Sequence, residues 1–143
     1  MEIKFKELSV NTEKPVQAIN ITQIVEKYVE ECGINEGFIN IMTKHTTTGL
    51  WVNEGLSCVE EDILNHLEKI APENGDYIHN HFLRDYGTLG YNANSHIKSV
   101  LMGYFLYFPI HKGRLIKGQC QTLYFAELDG PKKRGWTMQV IGD

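Results

Sequence analysis

The chain has 143 residues, 42% of them hydrophobic and 22% charged, which suits one globular domain over 1–143 with a core of its own. Its 14 Lys and Arg against 18 Asp and Glu leave a formal charge of −4, so there is no basic excess to neutralise a nucleic-acid backbone. A complete (β/α)8 barrel, which needs roughly 200 residues or more, is excluded by length.

Charged and apolar residues alternate from Glu2 to Lys6, and this pattern lacks the apolar block of a secretory signal. Residues 2–10 read as a strand, and Val16–Asn20 as a second. Ile21, Ile24, Val25, Tyr28, Val29 and Cys32 then recur at helical spacing, and Gly33 supplies a C-terminal stop. Phe38–His45 and Thr48–Asn53 read as strands joined at the threonines.

Ser57 with Glu60 matches a capping box, and Glu60, Glu61 and Asp62 oppose the positive end of the dipole of the helix that follows. Val59, Ile63, Leu64, Leu67 and Ile70 form its expected buried stripe, and Pro72 ends it. Residues 71–92 are a long connection rich in Gly, Asn, Asp, Tyr and His, a length often associated with function. A short helix is expected over Ser95–Leu101, capped by Asn94 or Ser95.

The longest apolar stretch, Val100–Ile110, falls short of the ~18 residues of a membrane span and is punctuated by Gly103 and Pro109. From Tyr104 onward the chain reads as β: Tyr104–Ile110, Arg114–Lys117, Gln119–Asp129 and Arg134–Ile141, with turns at His111–Gly113 and Asp129–Pro131. The whole is α+β: a mixed, largely antiparallel, barrel-like sheet with two main helices and one short helix. Cys32, Cys58 and Cys120 are scattered without CxxC spacing, so no disulfide framework is expected and a reducing cytoplasm is the expected compartment. Cys32 and Cys58 are expected inside helices as small apolar residues.

Six histidines are the feature most in need of explanation. His66 and His111 read as solvated, one off the apolar stripe of its helix and the other in a tight turn. His45, beside three threonines, His79 and His81 in the long connection, and His96 in the first turn of the short helix are candidates for a shared site, or hydrogen-bonded structural residues. The helix N-terminus disfavours imidazolium, which keeps His96 in its metal-competent neutral form, and the same turn offers N–H groups to an anion. Strand alternation puts Gln121, Leu123, Phe125, Glu127 and Asp129 on one face, either a pocket wall with polar ends or a strand end in solvent. Asp129 reads as a turn residue, and Arg134 starts a strand within reach of a phosphate.

Taken together, His45-Thr46-Thr47, Asn53-Glu54, Tyr77-x-His79, Asn94-x-His96-Ile97-Lys98, Gly103, Leu106-x-Phe108-Pro109-Ile110, Gly113-Arg114, Gly118, Gln121, Glu127 and Asp129-Gly130-Pro131 resemble the YjbQ family over nearly the whole chain. The resemblance implies a barrel-like α+β fold, a homotrimer and a secondary thiamine-phosphate synthase activity, joining an aminopyrimidine diphosphate to a thiazole phosphate. On that reading His45, His79 and His96 hold a divalent metal, zinc by preference. Glu54, Gln121 and Glu127 are then catalytic, and Thr46, Thr47, Ser95 and Arg134 bind the phosphate of a small phosphorylated substrate. Two other readings are a metal-dependent hydrolase of a small phosphorylated or acyl substrate, with Glu54 or Glu127 as base, and a non-catalytic trimer binding a ligand or metal. No nucleic-acid or membrane partner is expected. The chain departs from the family pattern at Gln119-Cys120, where a Thr-Trp pair is usual, and at Tyr104, where a small residue is usual.

Overall fold

A computed structural model describes residues 1–81 and 90–143. Part of the long connection expected over 71–92 therefore lies outside the described residues. The described residues form β1 (Glu2–Asn11), β2 (Gln17–Asn20), α1 (Thr22–Cys32), β3 (Glu36–Thr43), β4 (Thr48–Glu54), α2 (Ser57–Ile70), α3 (Ala93–Met102), β5 (Phe105–His111), β6 (Arg114–Leu115), β7 (Gln121–Glu127) and β8 (Lys133–Gly142) in chain order. Residues 78–81 add a helical turn.

The strands form a five-stranded sheet, β1-β8-β3-β5-β6, and a three-stranded sheet, β2-β7-β4. Every described pairing is antiparallel. The α+β class is as the sequence predicts, while the parallel component implied by a mixed sheet is absent from the described pairings. Ile39 and Ile41 of β3, Leu50 of β4, Phe108 and Ile110 of β5, Leu123 and Phe125 of β7, and Trp136, Met138 and Val140 of β8 point inward. Helix α1 adds Val25, Tyr28 and Val29 to the same core. Gly33, at φ 69°, ends α1 in the left-handed region that favours glycine.

Helix α2 departs from expectation. Its N-cap is the extended Leu56, no side-chain cap bond forms, and none of its residues is fully buried. Ile70, placed on the predicted stripe, is 55% exposed. Glu60 is turned away from capping because it accepts a hydrogen bond from the Tyr124 hydroxyl of β7. Cys58 sits on α2 exposed rather than packed. Helix α3 starts two residues earlier than predicted, at Ala93, and neither Asn94 nor Ser95 caps it. Strand β3 ends at Thr43, so His45 lies in the turn that follows rather than on the strand. Among the described residues no helix is long and apolar enough to cross a membrane.

Candidate functional site

The turn 44–47, the N-terminal half of α3, the helical turn 78–81 and the β7–β8 junction converge at one end of the molecule. Its foundation is a buried ion pair. Glu127 is wholly buried, and Arg134 is 2% exposed. The Arg134 Nε and Nη2 donate to the two carboxylate oxygens at 2.7 Å each, the bidentate geometry that suits guanidinium to carboxylate. Thr12 Oγ1 and the N–H groups of Leu128 and Asp129 also donate to Glu127. Burial pushes the Glu127 carboxyl up, but these donors outweigh it and hold it below its ordinary value.

Arg134 Nη2 also donates to Thr47 Oγ1 at 2.9 Å. Thr47 in turn fixes His45: its N–H donates to His45 Nδ1 at 3.2 Å, and its hydroxyl lies 3.0 Å from the same nitrogen. His45 Nδ1 is thus an acceptor, and in the neutral ring the proton sits on Nε2. Burial and the charges of Arg134 and Lys132 hold the His45 pKa below its ordinary value. Across the cleft, Asn92 Nδ2 donates to Asp129 Oδ2 at 3.0 Å, which leaves Asn92 Oδ1 to accept from His79 Nε2 at 3.2 Å. This is why Asn92, at the N-cap of α3, makes no capping bond. Lys132 Nζ also pairs with Asp129.

The His79 and His96 rings stand edge to face with centroids 5.1 Å apart. The Thr46 backbone lies within reach of the His96 ring and pushes its pKa up, but burial followed by the neighbouring His79 outweighs it and holds the pKa below the ordinary value. Among the described residues His79 spends Nε2 on Asn92 and keeps Nδ1 unpartnered, and the His96 ring keeps at least one nitrogen unpartnered. Two imidazoles on one tetrahedral zinc, at ~2.1 Å per bond, would hold their centres about 5 Å apart, and metal-bound histidines characteristically donate their other N–H to an oxygen. The donor set of His79 and His96 fits a divalent ion. Among the described residues, however, no group of three or more His, Cys, Asp or Glu gathers around one point. His45 lines a cavity with His96, but its Nδ1 lone pair is already committed to Thr47.

Other expected site residues lie elsewhere. Glu54 pairs with Gln121, and Thr48 with Glu127, at opposite ends of the β4–β7 ladder. Six residues of strand separate the ends, about 20 Å, so Glu54 and Gln121 do not join Glu127. Glu127 itself is no general base, since its oxygens are filled by five internal donors. The expected phosphate cradle is also spent. Arg134 and Thr47 are buried in the ion-pair network, and Ser95 Oγ donates to the Leu128 carbonyl. At the start of α3 the N–H groups of Ala93, Ser95 and His96 already have acceptors. Thr46 is exposed. As expected, His66 is exposed; His111 is too, bonded to Glu36, while His81 pairs with Asp76 at the surface. Asn92 and Thr12 were not foreseen, for neither carries a motif, and Asp129 proves to be more than a turn residue.

Fold and cleft together define a small α+β protein with a histidine-lined cleft built over a buried Arg–Glu pair. The family model described as UPF0047 protein YjbQ-like matches residues 6–143, and the chain belongs to that family. It is 34% identical over 142 residues to a UPF0047 protein of Methanothermobacter thermautotrophicus, covering 99% of this chain and 94% of that one. UPF0047 protein YugU of Bacillus subtilis is 33% identical, with 96% and 98% covered. A YbjQ-like protein of unknown function from Sulfolobus solfataricus superposes with a TM-score of 0.92 at 29% identity, covering 99% of each chain. An uncharacterised YjbQ/UPF0047 protein from Clostridium acetobutylicum gives 0.85 at 36% identity, with 95% and 99% covered.

These comparisons correct the expected function. The relatives bear only a family name, and the solved neighbours are of unknown or uncharacterised function, so the thiamine-phosphate synthase activity inferred from the resemblance does not carry over. The geometry agrees, since the residues meant for catalysis and for phosphate are separated or internally bonded. The hydrolase reading loses its base for the same reason.

Proposed function

We propose that this protein binds a divalent metal ion, zinc by preference, between His79 and His96, and holds a small phosphorylated molecule against it. The observation that carries this reading is the imidazole pair itself, with His79 oriented by Asn92 and a nitrogen on each ring without a partner among the described residues. Two protein ligands leave open positions on a tetrahedral ion for phosphate oxygen or water. Tyr77, Ile78 and Ile97 line the same cavity of ≈ 600 Å³ and supply an apolar wall for the body of the ligand. His45 acts as a positioning residue, holding the turn whose Thr46 backbone orients His96.

Zinc titration of untagged protein, followed by metal analysis, tests this. His79→Ala and His96→Ala should each abolish stoichiometric binding, whereas His45→Ala should weaken it about tenfold, the scale of an outer-shell loss. Unchanged metal content in the first two variants would overturn the reading. Because the ligating rings must be neutral, binding should fall on acidification, and since burial holds the His96 pKa below its ordinary value its ring is lost as a ligand only below that value.

We also propose a homotrimer. Ile97, Val100, Leu101, Tyr104, Phe105 and Tyr107 expose a continuous apolar surface from α3 to β5, with Val100 83% exposed, more than an isolated monomer commonly shows to water. Light scattering should give three times the mass of one chain, and Val100→Glu should yield monomers. A cytoplasmic location accords with the three free cysteines.

A further inference from the structure

Helix α2 stands off the small sheet. On the face opposite the core, Ala18 of β2 lies beside Ala126 of β7, and neither side chain is large enough to fill the space beneath the helix. The result is a cavity of ≈ 500 Å³ walled by Leu64 and Leu67 of α2 and floored by Ala18 and Leu128. Glu60, which lines it, accepts a hydrogen bond from Tyr124, whose ring stacks on Trp51 at 5.0 Å.

The two ends carry opposite charge. Glu60 and Glu61 line the first, while Lys14 and Lys98 line the other beside Glu68, which leaves that end one positive charge in excess. Lys98 is 2% exposed, and its ammonium donates to Glu68 near the C-terminus of α2. An ammonium has three donors, and burying one costs free energy unless they are used. Glu68 is itself half exposed and is shared with the Glu73 N–H. Lys98 projects into this cavity from α3, the helix whose His96 serves the histidine cleft, so the two sites share one wall.

We infer that this groove binds a short unmodified peptide, its ammonium end at Glu60 and Glu61 and its carboxylate end at Lys14 and Lys98. The match is one of length and charge. Seven residues of helix from Glu61 to Glu68 rise about 10 Å, and three extended residues span about 10 Å. A free α-amino acid, with both charged groups on one carbon, cannot reach both ends. The apolar wall of Leu64 and Leu67 suits one aliphatic side chain in the middle.

The test is calorimetric or NMR titration of the full chain with Ala-Leu-Ala, its N-acetyl form and its C-terminal amide. Ala-Leu-Ala should saturate, and blocking either end should weaken binding about tenfold, the scale of one lost charge-assisted hydrogen bond. Ala18→Leu should abolish binding by filling the floor. Glu61→Gln, an exposed change that leaves folding intact, should weaken the free peptide and leave the N-acetyl form unaffected. His96→Ala should leave peptide binding unchanged, which separates this groove from the metal site. Failure of Ala-Leu-Ala to saturate at millimolar concentration, or equal binding of the blocked peptides, would overturn the inference.

Discussion

Arg134→Met is expected to lower stability by about 3–5 kcal/mol, because it strands the Glu127 carboxylate in the interior. For a chain of this size that corresponds to a fall in Tm of about 10 °C or more. The cost comes from the charge left behind rather than from the worth of the pair, so Arg134→Met combined with Glu127→Leu should recover much of it. Urea denaturation of the two variants measures the difference. A pH series adds a sign. In the native chain the Glu127 carboxyl lies below its ordinary value, so the unfolded chain takes up its proton first on acidification. That contribution is complete above the unfolded value of ~4.3 and is lost as pH falls through the lower folded one. In Arg134→Met only burial and weaker donors act on the carboxyl, which then gains a proton readily, so the gap between variant and parent should narrow at acid pH.

This ion pair also marks the limit of what the sequence discloses. Periodicity locates the strands and α1 within a few residues, because their burial is decided by spacing that any one segment displays. The strand read over Gln119–Asp129 forms over Gln121–Glu127, yet the partner of Glu127 is Arg134 on the next strand, which belongs to the other sheet, and only the crossing between the two sheets brings them together. Alternation alone leaves Glu127 either on a pocket wall or in solvent, and its place in a five-donor internal network depends on Thr12, 115 residues away. Asn92 is illegible for a related reason: its role depends on His79 and Asp129, from two other parts of the chain. The capping box fails because Glu60 has a tertiary acceptor role worth more than a local one. His79 and His96, by contrast, emerge from the sequence as candidates and do meet in the structure.

Gly49→Val is expected to couple fold and site. At Gly49 an added Cβ would lie 2.8 Å from Met102 Cβ and 3.0 Å from its sulfur, so α3 can rest on β4 only because that position has no side chain. The helix is further pinned there by Ser99 Oγ, which donates to the Thr48 carbonyl, and by Ser95 Oγ on the Leu128 carbonyl. These bonds satisfy backbone acceptors that burial would otherwise leave unpaired. Valine must lift α3 from the strand, and overpacking of this kind costs about 1–3 kcal/mol. Lifting the C-terminal end of α3 also tilts His96 relative to His79, which belongs to the separate turn 78–81 and is tied to the helix at its N-cap, Asn92. Zinc affinity should therefore fall about 100-fold, the upper range for disturbed outer-shell support, while the far-UV spectrum stays that of the folded chain. Gly49→Ala should fall between the two. If zinc binding survives Gly49→Val while stability drops as stated, α3 does not set the geometry of the pair.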